Sequence, residues 1–141
     1  MLSPKERLEE LEKVLTELEE LSEKLPIIVE GNKDVSALRR LGITKNVVSL
    51  SKGDSVLTFC ERVSRKSREV VILTDWDRKG GHLARMLKET LEISGVAVND
   101  RVRTQLVVLL KKDIKDIESM PTFIERLRYH PLGPARKVNV D

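Results

Sequence analysis

The sequence predicts an α/β fold: a mostly parallel, four-stranded sheet with helices on both faces, preceded by a long N-terminal helix. After residue 26, short apolar runs alternate with helical segments of about ten to fifteen residues, which is the pattern of strand–helix–strand units. The clearest run, at 69–74, has four consecutive apolar residues at its centre, as expected for a strand covered on both faces. The 141 residues suit one domain with a sizeable core and exclude a second full domain.

The N-terminal segment, residues 1–25, is predicted to be one amphipathic helix. Ser3 and Glu6 have the spacing of a capping box, and Pro4 occupies the first helical position. Leucines at spacings of mostly three and four form an apolar stripe, namely Leu8, Leu11, Leu15, Leu18 and Leu25. We expect this stripe to pack either on the body of its own chain or on the same helix of a second copy.

The remaining elements follow in order. The predicted strands are 27–29, 47–50, 69–74 and 105–110. The predicted helices are 34–41, 53–64 with a cap at Gly53 and Asp54, 79–94 and 121–128. Gly42 and Gly95 are expected to end two of these helices. The chain thus divides into the N-terminal helix (1–25), a core (26–112) and a C-terminal helix with a tail (113–141).

The charge is unevenly distributed along the chain. Residues 1–25 carry four basic and eight acidic side chains, whereas residues 26–141 carry 22 basic and 15 acidic ones, so that the body is +7 within a net charge of +3. A basic body favours a polyanionic partner, because lysine and arginine neutralise phosphates. The alternative is that these side chains are scattered over the surface and serve solubility.

Cysteine and histidine are scarce. The single cysteine, Cys60, excludes an internal disulfide and is expected in the core, and one cysteine with two histidines cannot form a zinc cluster. A metal ion would therefore be held by carboxylates. No apolar run approaches the length of about 20 residues that spans a bilayer, and no apolar signal core follows the N-terminus, so we expect a cytoplasmic protein.

Acidic residues follow two of the predicted strands. Glu30 comes after the first strand, and Asp75 and Asp77 come after the third. If these strands are neighbours, the three carboxylates converge at one edge of the sheet and repel each other unless a cation such as Mg²⁺ neutralises them. The alternative is that each acid is a turn or cap residue, with Asp77 capping the next helix.

Two segments resemble the motifs of the Toprim domain. Residues 27–38, IIVEGNKDVSAL, resemble its first motif, and residues 75–80, DWDRKG, match its D-x-D-x-x-G motif. The resemblance spans about residues 26–112. It implies that Glu30 does general acid or base work and that Asp75 and Asp77 bind Mg²⁺. From the convergence of the three carboxylates we expect Mg²⁺ or Mn²⁺ to bind through Asp75 and Asp77, with Glu30 close by as a further candidate metal ligand. Asp34 would cap the next helix and support the site from behind.

Other residues near these motifs are candidates for binding nucleic acid or metal. The candidate phosphate contacts are Arg78, Lys79, Lys33 and Lys52. Three further candidates are His82, Asp116 and Glu118. For each of these the alternative is a solvated surface position or, for the two acids, the start of the last helix. Trp76 either stacks on a base or packs against the protein.

The resemblance also restricts the function. Topoisomerases of this class need a nucleophilic tyrosine on a separate domain, and the only tyrosine here, Tyr129, lies outside the core; primases need a zinc module. The chain is most similar to small stand-alone Toprim proteins, of which the ribosomal-RNA maturation nuclease is the nearest functional type. We therefore predict Mg²⁺-dependent cleavage or transfer of phosphodiester bonds in nucleic acid, with structured RNA favoured over DNA.

Two alternatives remain open. The same crevice would serve a non-catalytic module that binds nucleic acid or nucleotide in a metal-dependent way within a larger complex. The chain could also be a structural partner of another enzyme that docks through its N-terminal helix. A homodimer is compatible with either.

Overall fold

The computed structural model describes residues 1–50 and 53–129, and these form four strands and six helices. The strands are β1 (Ile27–Val29), β2 (Val47–Ser49), β3 (Glu69–Ile72) and β4 (Ala97–Asn99). The helices are α1 (Pro4–Ser22), α2 (Asn32–Arg40), α3 (Val56–Lys66), α4 (Arg78–Ile93), α5 (Arg101–Leu110) and α6 (Met120–Tyr129). None of the helices in this part of the chain is both long enough and apolar enough to cross a membrane.

The four strands form one parallel sheet in the order β2-β1-β3-β4. The predicted α/β architecture is confirmed, and so is the adjacency of the first and third strands: Ile27 lies opposite Val71, and Ile28 lies opposite Ile72. The chain leaves β1 in one direction to make β2 and returns on the other side of β1 to make β3. In open parallel sheets, ligands bind at the carboxyl ends of the strands where the order reverses in this way.

Helices cover both faces of the sheet because successive strand residues point to opposite sides. Ile27 and Val29 belong to a core shared with α1, α2, α5 and α6, whereas Ile28 belongs to a second core that contains Phe59 and Cys60 of α3 and residues of α4. Cys60 is fully buried, as predicted.

Helix α1 docks on its own chain. The capping box of Ser3 and Glu6 is present in both directions. Leu11 and Leu18 are fully buried, and α1 packs on α5 and α6. Ser22, which interrupts the apolar stripe, is also buried, and its hydroxyl is satisfied there because it donates to the Glu19 carbonyl.

The predicted fourth strand at 105–110 is wrong. These residues form the second half of α5, and β4 lies earlier, at Ala97–Asn99. Val102, Leu106 and Leu110 recur every four residues and are fully buried, whereas Val108 is 69 % exposed, so the apolar residues follow the period of a helix and not that of a strand.

The predicted cap of the third helix is also wrong. Ser55 is the N-cap of α3, because its hydroxyl accepts the Thr58 N–H at 3.0 Å. The two residues predicted for this role lie just before it, and the carboxylate of Asp54 pairs with Arg62 at 2.8 Å instead.

Candidate metal and nucleic-acid site

Glu30 and Asp75 meet at the carboxyl ends of β1 and β3. Glu30 directly follows β1, and Asp75 lies three residues beyond the end of β3. The Asp75 N–H donates to Glu30 Oε2 at 3.0 Å, so a direct hydrogen bond joins the two strand ends. Burial raises the pKa of the half-buried Glu30, and the nearby charges of Asp34 and Asp77 raise it further. The structure therefore confirms that Glu30 and Asp75 lie at one edge of the sheet, but the predicted convergence of three carboxylates around one ion is not found among the described residues.

The Asp75 carboxylate is half-buried at this edge of the sheet. Its Oδ1 atom accepts the Ile117 N–H at 2.9 Å. Burial is the main cause that raises the pKa of Asp75 to about 7, and repulsion from Asp34, Glu30 and Asp116 adds to it. The ionised form of Asp75 is thus disfavoured relative to that of a solvent-exposed aspartate, and positive charge in the crevice would offset this.

Asp77 has a structural role through one of its oxygens. Its Oδ1 atom accepts the Gly80 N–H at 2.7 Å, which makes Asp77 the N-cap of α4. The alternative that Asp77 caps the next helix therefore holds for this oxygen. The residue is nevertheless exposed, and its charge raises the pKa of Glu30. The structure is compatible with a residue that caps α4 with one oxygen and binds a ligand with the other.

Asp34 lies behind these residues in the first turn of α2. It is 7 % exposed, and its Oδ2 atom accepts the Gly31 N–H at 3.1 Å. Gly31 is the N-cap of α2, so Asp34 is not the cap residue itself but returns a bond to it from the first turn. Burial raises the pKa of Asp34, and the charges of Glu118 and Asp116 add to the effect.

A glycine permits the close approach of the two segments that form the second motif. A Cβ atom on Gly80 would lie 2.0 Å from the Asp75 carbonyl oxygen. The Thr74 hydroxyl donates to the Gly80 carbonyl at 2.8 Å and fixes the same approach from the other side. At the first motif, in contrast, a Cβ on Gly31 would meet nothing within 4 Å.

Residues 113–119 flank the crevice. The Trp76 N–H donates to the Lys115 carbonyl at 2.9 Å, and its Nε1 donates to the Ile114 carbonyl at 2.8 Å. The indole also packs against the core, so the packing alternative holds for this residue. Asp116 accepts the Ser119 N–H at 2.8 Å, as expected for a residue that begins a turn, but its charge still raises the pKa of Asp75.

The basic candidates are exposed at the same edge. The exposed side chains are Arg78, Lys79, His82 and Lys33. The charge of Lys79 lowers the pKa of Glu30, so Lys79 lies close enough to influence this carboxylate. The acidic candidate Glu118 is also exposed, and its charge raises the pKa of Asp34. Lys52 lies outside the described residues.

Arg103 is a residue of the site that sequence reasoning missed. From α5, its Nε donates to the Thr74 carbonyl at 2.9 Å and its Nη2 to the Asp75 carbonyl at 2.8 Å. It was missed because the strand predicted at 105–110 left it in a loop. The four-residue recurrence of Val102, Leu106 and Leu110 is the signal that would have placed it on a helix.

The donor chemistry of the crevice fits a hard cation. Within residues 1–50 and 53–129, no three acidic, histidine or cysteine side chains lie close enough together to hold one ion. Mg²⁺, however, usually takes one or two carboxylates and completes its shell with water and substrate phosphate oxygens. Asp75 and Asp77 offer carboxylate oxygens of this kind. Burial, and after it repulsion from nearby acids, raises the pKa of Asp75, and a cation would offset both effects.

Comparison with known proteins decides the family. The model of the Toprim domain matches residues 26–107. The chain belongs to the Toprim family. Toprim domains occur in metal-dependent enzymes that process nucleic acids, among them nucleases, primases and topoisomerases, and they generally bind divalent metal ions.

Archaeal relatives of this Toprim protein match nearly its whole length. A UPF0292 protein of Methanosarcina acetivorans is 42 % identical over 125 residues, which cover 88 % of this chain and 86 % of the relative. A UPF0292 protein of Methanocaldococcus jannaschii is 35 % identical over 121 residues, covering 86 % and 94 %. A solved structure from Aquifex aeolicus has a TM-score of 0.68 at 32 % identity and covers 78 % of this chain and 97 % of that one.

Proposed function

We propose that this Toprim protein is a Mg²⁺-dependent enzyme that cleaves or transfers phosphodiester bonds in nucleic acid, with structured RNA as the favoured substrate. The observation that carries the proposal is the direct hydrogen bond between Asp75 and Glu30 at the point where the strand order reverses. This hydrogen bond joins Glu30, whose pKa is raised, to the D-x-D-x-x-G motif, at the edge of the sheet where ligands bind in open parallel sheets. RNA is favoured because the nearest functional type by resemblance is the ribosomal-RNA maturation nuclease.

Asp75 and Asp77 are the proposed metal ligands. One oxygen of each accepts a backbone N–H, from Ile117 and from Gly80, so both carboxylates are held in a defined orientation. The other oxygen of each is the one assigned to the ion. A bound Mg²⁺ supplies positive charge that stabilises the phosphate and the leaving oxygen in the transition state.

Glu30 is the proposed proton carrier. Its Oε2 is held by the Asp75 N–H, which leaves Oε1 to accept a proton from the attacking hydroxyl or water. Burial raises the pKa of Glu30, and a raised pKa makes a carboxylate a better base near neutral pH.

Arg78 and Lys79 are the proposed phosphate contacts. Both are exposed in the first turn of α4, where the helix dipole adds partial positive charge. Lys33 is exposed in the first turn of α2 and faces the same edge of the sheet through its position after β1. Together they would hold the nucleic-acid backbone across the crevice while the acids act on one phosphate.

The test is cleavage of a labelled RNA hairpin and of the DNA hairpin of the same sequence. Each is incubated with Mg²⁺, Mn²⁺ or EDTA and with the wild type, Glu30→Gln, Asp75→Asn and the control Glu89→Gln, which alters an exposed acid of α4. We expect metal-dependent cleavage that Glu30→Gln reduces by about 10²–10⁴-fold and the control leaves intact. Cleavage that survives undiminished in both site variants refutes the proposal. Metal-dependent binding without cleavage of either hairpin would instead support the non-catalytic binding module.

A further inference from the structure

Arg103 contacts the start of the D-x-D-x-x-G motif from α5. It is the third residue of α5, and its guanidinium reaches the loop between β3 and α4. Nε binds the Thr74 carbonyl and Nη2 binds the Asp75 carbonyl, at 2.9 and 2.8 Å. These two carbonyls belong to consecutive peptide groups, and the second one is on the main chain of the residue that carries the proposed metal ligand.

The position of this guanidinium is closely defined by its surroundings. The side chain is half-buried, and a Cβ on Gly81 would lie 3.9 Å from Nη2, so the guanidinium lies beside the first turn of α4. Burial lowers the pKa of Arg103, and the charges of Asp100, Glu30 and Asp75 oppose this effect. Its hydrogen bonds go to main-chain oxygens and to no carboxylate among the described residues.

Arg101, two residues earlier on the same helix, provides a contrast. It is exposed and pairs with Glu17 of α1, away from the crevice. The two arginines share a helix and a charge, but only Arg103 touches the motif.

We infer that Arg103 is a positioning residue, whose guanidinium holds the Thr74 and Asp75 carbonyls and thereby fixes the loop that presents Asp75 and Asp77 to a divalent cation. The inference rests on the proposed function for the identity of the metal ligands. A guanidinium suits this task because its planar fork presents two N–H groups in fixed geometry, whereas the ammonium of lysine is a point charge on a flexible stem. The role acts through Asp75, so Arg103 touches neither the ion nor the reacting phosphate.

The test compares Arg103→Gln and Arg103→Lys with the control Arg101→Gln. The first measurement is amide hydrogen exchange by NMR on the metal-free protein. We expect the amides of Asp75 and Ile117, which donate to Glu30 and to Asp75, to exchange at least about tenfold faster in Arg103→Gln. The amide of Leu73, which donates to the Ile28 carbonyl within the sheet, should keep its wild-type rate.

The second measurement is the Mn²⁺ affinity of the protein without nucleic acid, obtained from a titration that is monitored by electron paramagnetic resonance. Residues that orient metal ligands typically change affinity by about 10–100-fold, and we expect a loss of this size in Arg103→Gln, a smaller loss in Arg103→Lys and none in the control. If Arg103→Gln does not fold, the comparison of Arg103→Lys with the control still tests the inference.

The outcomes separate this inference from the proposed function. The inference is overturned if Arg103→Gln has the same exchange rates and Mn²⁺ affinity as the Arg101→Gln control. It is also overturned if Arg103→Lys behaves as the wild type, because a positive charge alone would then suffice. If the wild type binds no Mn²⁺, the proposed function fails together with the metal-binding part of the inference. The exchange rates still decide in that case whether Arg103 fixes the loop.

Discussion

Replacement of Gly80 by alanine would add one methyl group where the β3–α4 loop and the first turn of α4 are in contact. The added Cβ would lie 2.0 Å from the Asp75 carbonyl oxygen, 2.5 Å from its carbon and 3.0 Å from its Cα. All three atoms belong to the backbone, so no side-chain rotation relieves the clash, and the two segments must separate by about 1 Å. Asp75 would move with them.

The magnitude follows from two opposing effects. Overpacking costs typically about 1–3 kcal/mol of unfolding free energy, whereas alanine in place of glycine within a helix gains at most about 1 kcal/mol. The matched control is Gly81→Ala, whose Cβ has Arg103 Nη2 at 3.9 Å as its nearest atom and therefore shows the helix gain alone. Because both variants gain the same helix propensity, we expect Gly80→Ala to be less stable than Gly81→Ala by the overpacking cost alone, about 1–3 kcal/mol.

Urea unfolding monitored by circular dichroism measures this difference, provided that the dependence of the unfolding free energy on urea concentration has the same slope in both variants. Mn²⁺ titration of the same samples should show weaker binding by Gly80→Ala alone, because the shift displaces the proposed ligand. Equal unfolding midpoints for the two variants would show that the close approach of Gly80 and Asp75 is not a constraint on this fold, and the reasoning would be refuted.

Three further predictions concern charge and packing. The pKa of Asp75 is about 7 in the folded protein and 3.8 as the reference, so the folded state holds an extra proton between these values. The metal-free wild type should therefore lose stability relative to Asp75→Asn as the pH rises from 4 through 7, and parallel pH curves of urea unfolding would contradict this. Replacing Arg78 and Lys79 together by alanine should reduce the log–log salt slope of RNA binding by about 1.4–1.8, measured by fluorescence anisotropy. An unchanged slope would show that they are not part of the interface. Leu18→Ala should cost about 2–5 kcal/mol of unfolding free energy because Leu18 is fully buried. Val108→Ala, at a side chain that is 69 % exposed, should cost less than about 0.5 kcal/mol. Similar costs for the two variants would contradict the docking of α1.

The sequence by itself determined the features that depend on neighbours along the chain. The capping box of Ser3 and Glu6 needs only three residues of spacing, and it is present. The apolar stripe of α1 specified which face is buried, because side chains three and four apart share a face of a helix. The motifs around Glu30 and Asp75 indicated the edge where the acids meet, since parallel strands end at the same side of a sheet.

Only the tertiary structure decided the contacts between residues far apart in the chain. The Arg103 guanidinium reaches a carbonyl 29 positions away, and the Ile117 N–H reaches Asp75 across 42 positions. Apolar runs as short as 105–110 are ambiguous between strand and helix, and the ambiguity was resolved by which side chains α1 and the sheet cover. The pKa of Asp75 likewise depends on burial and on acids from two other segments, because desolvation and charge repulsion act through space and leave no pattern in the local sequence.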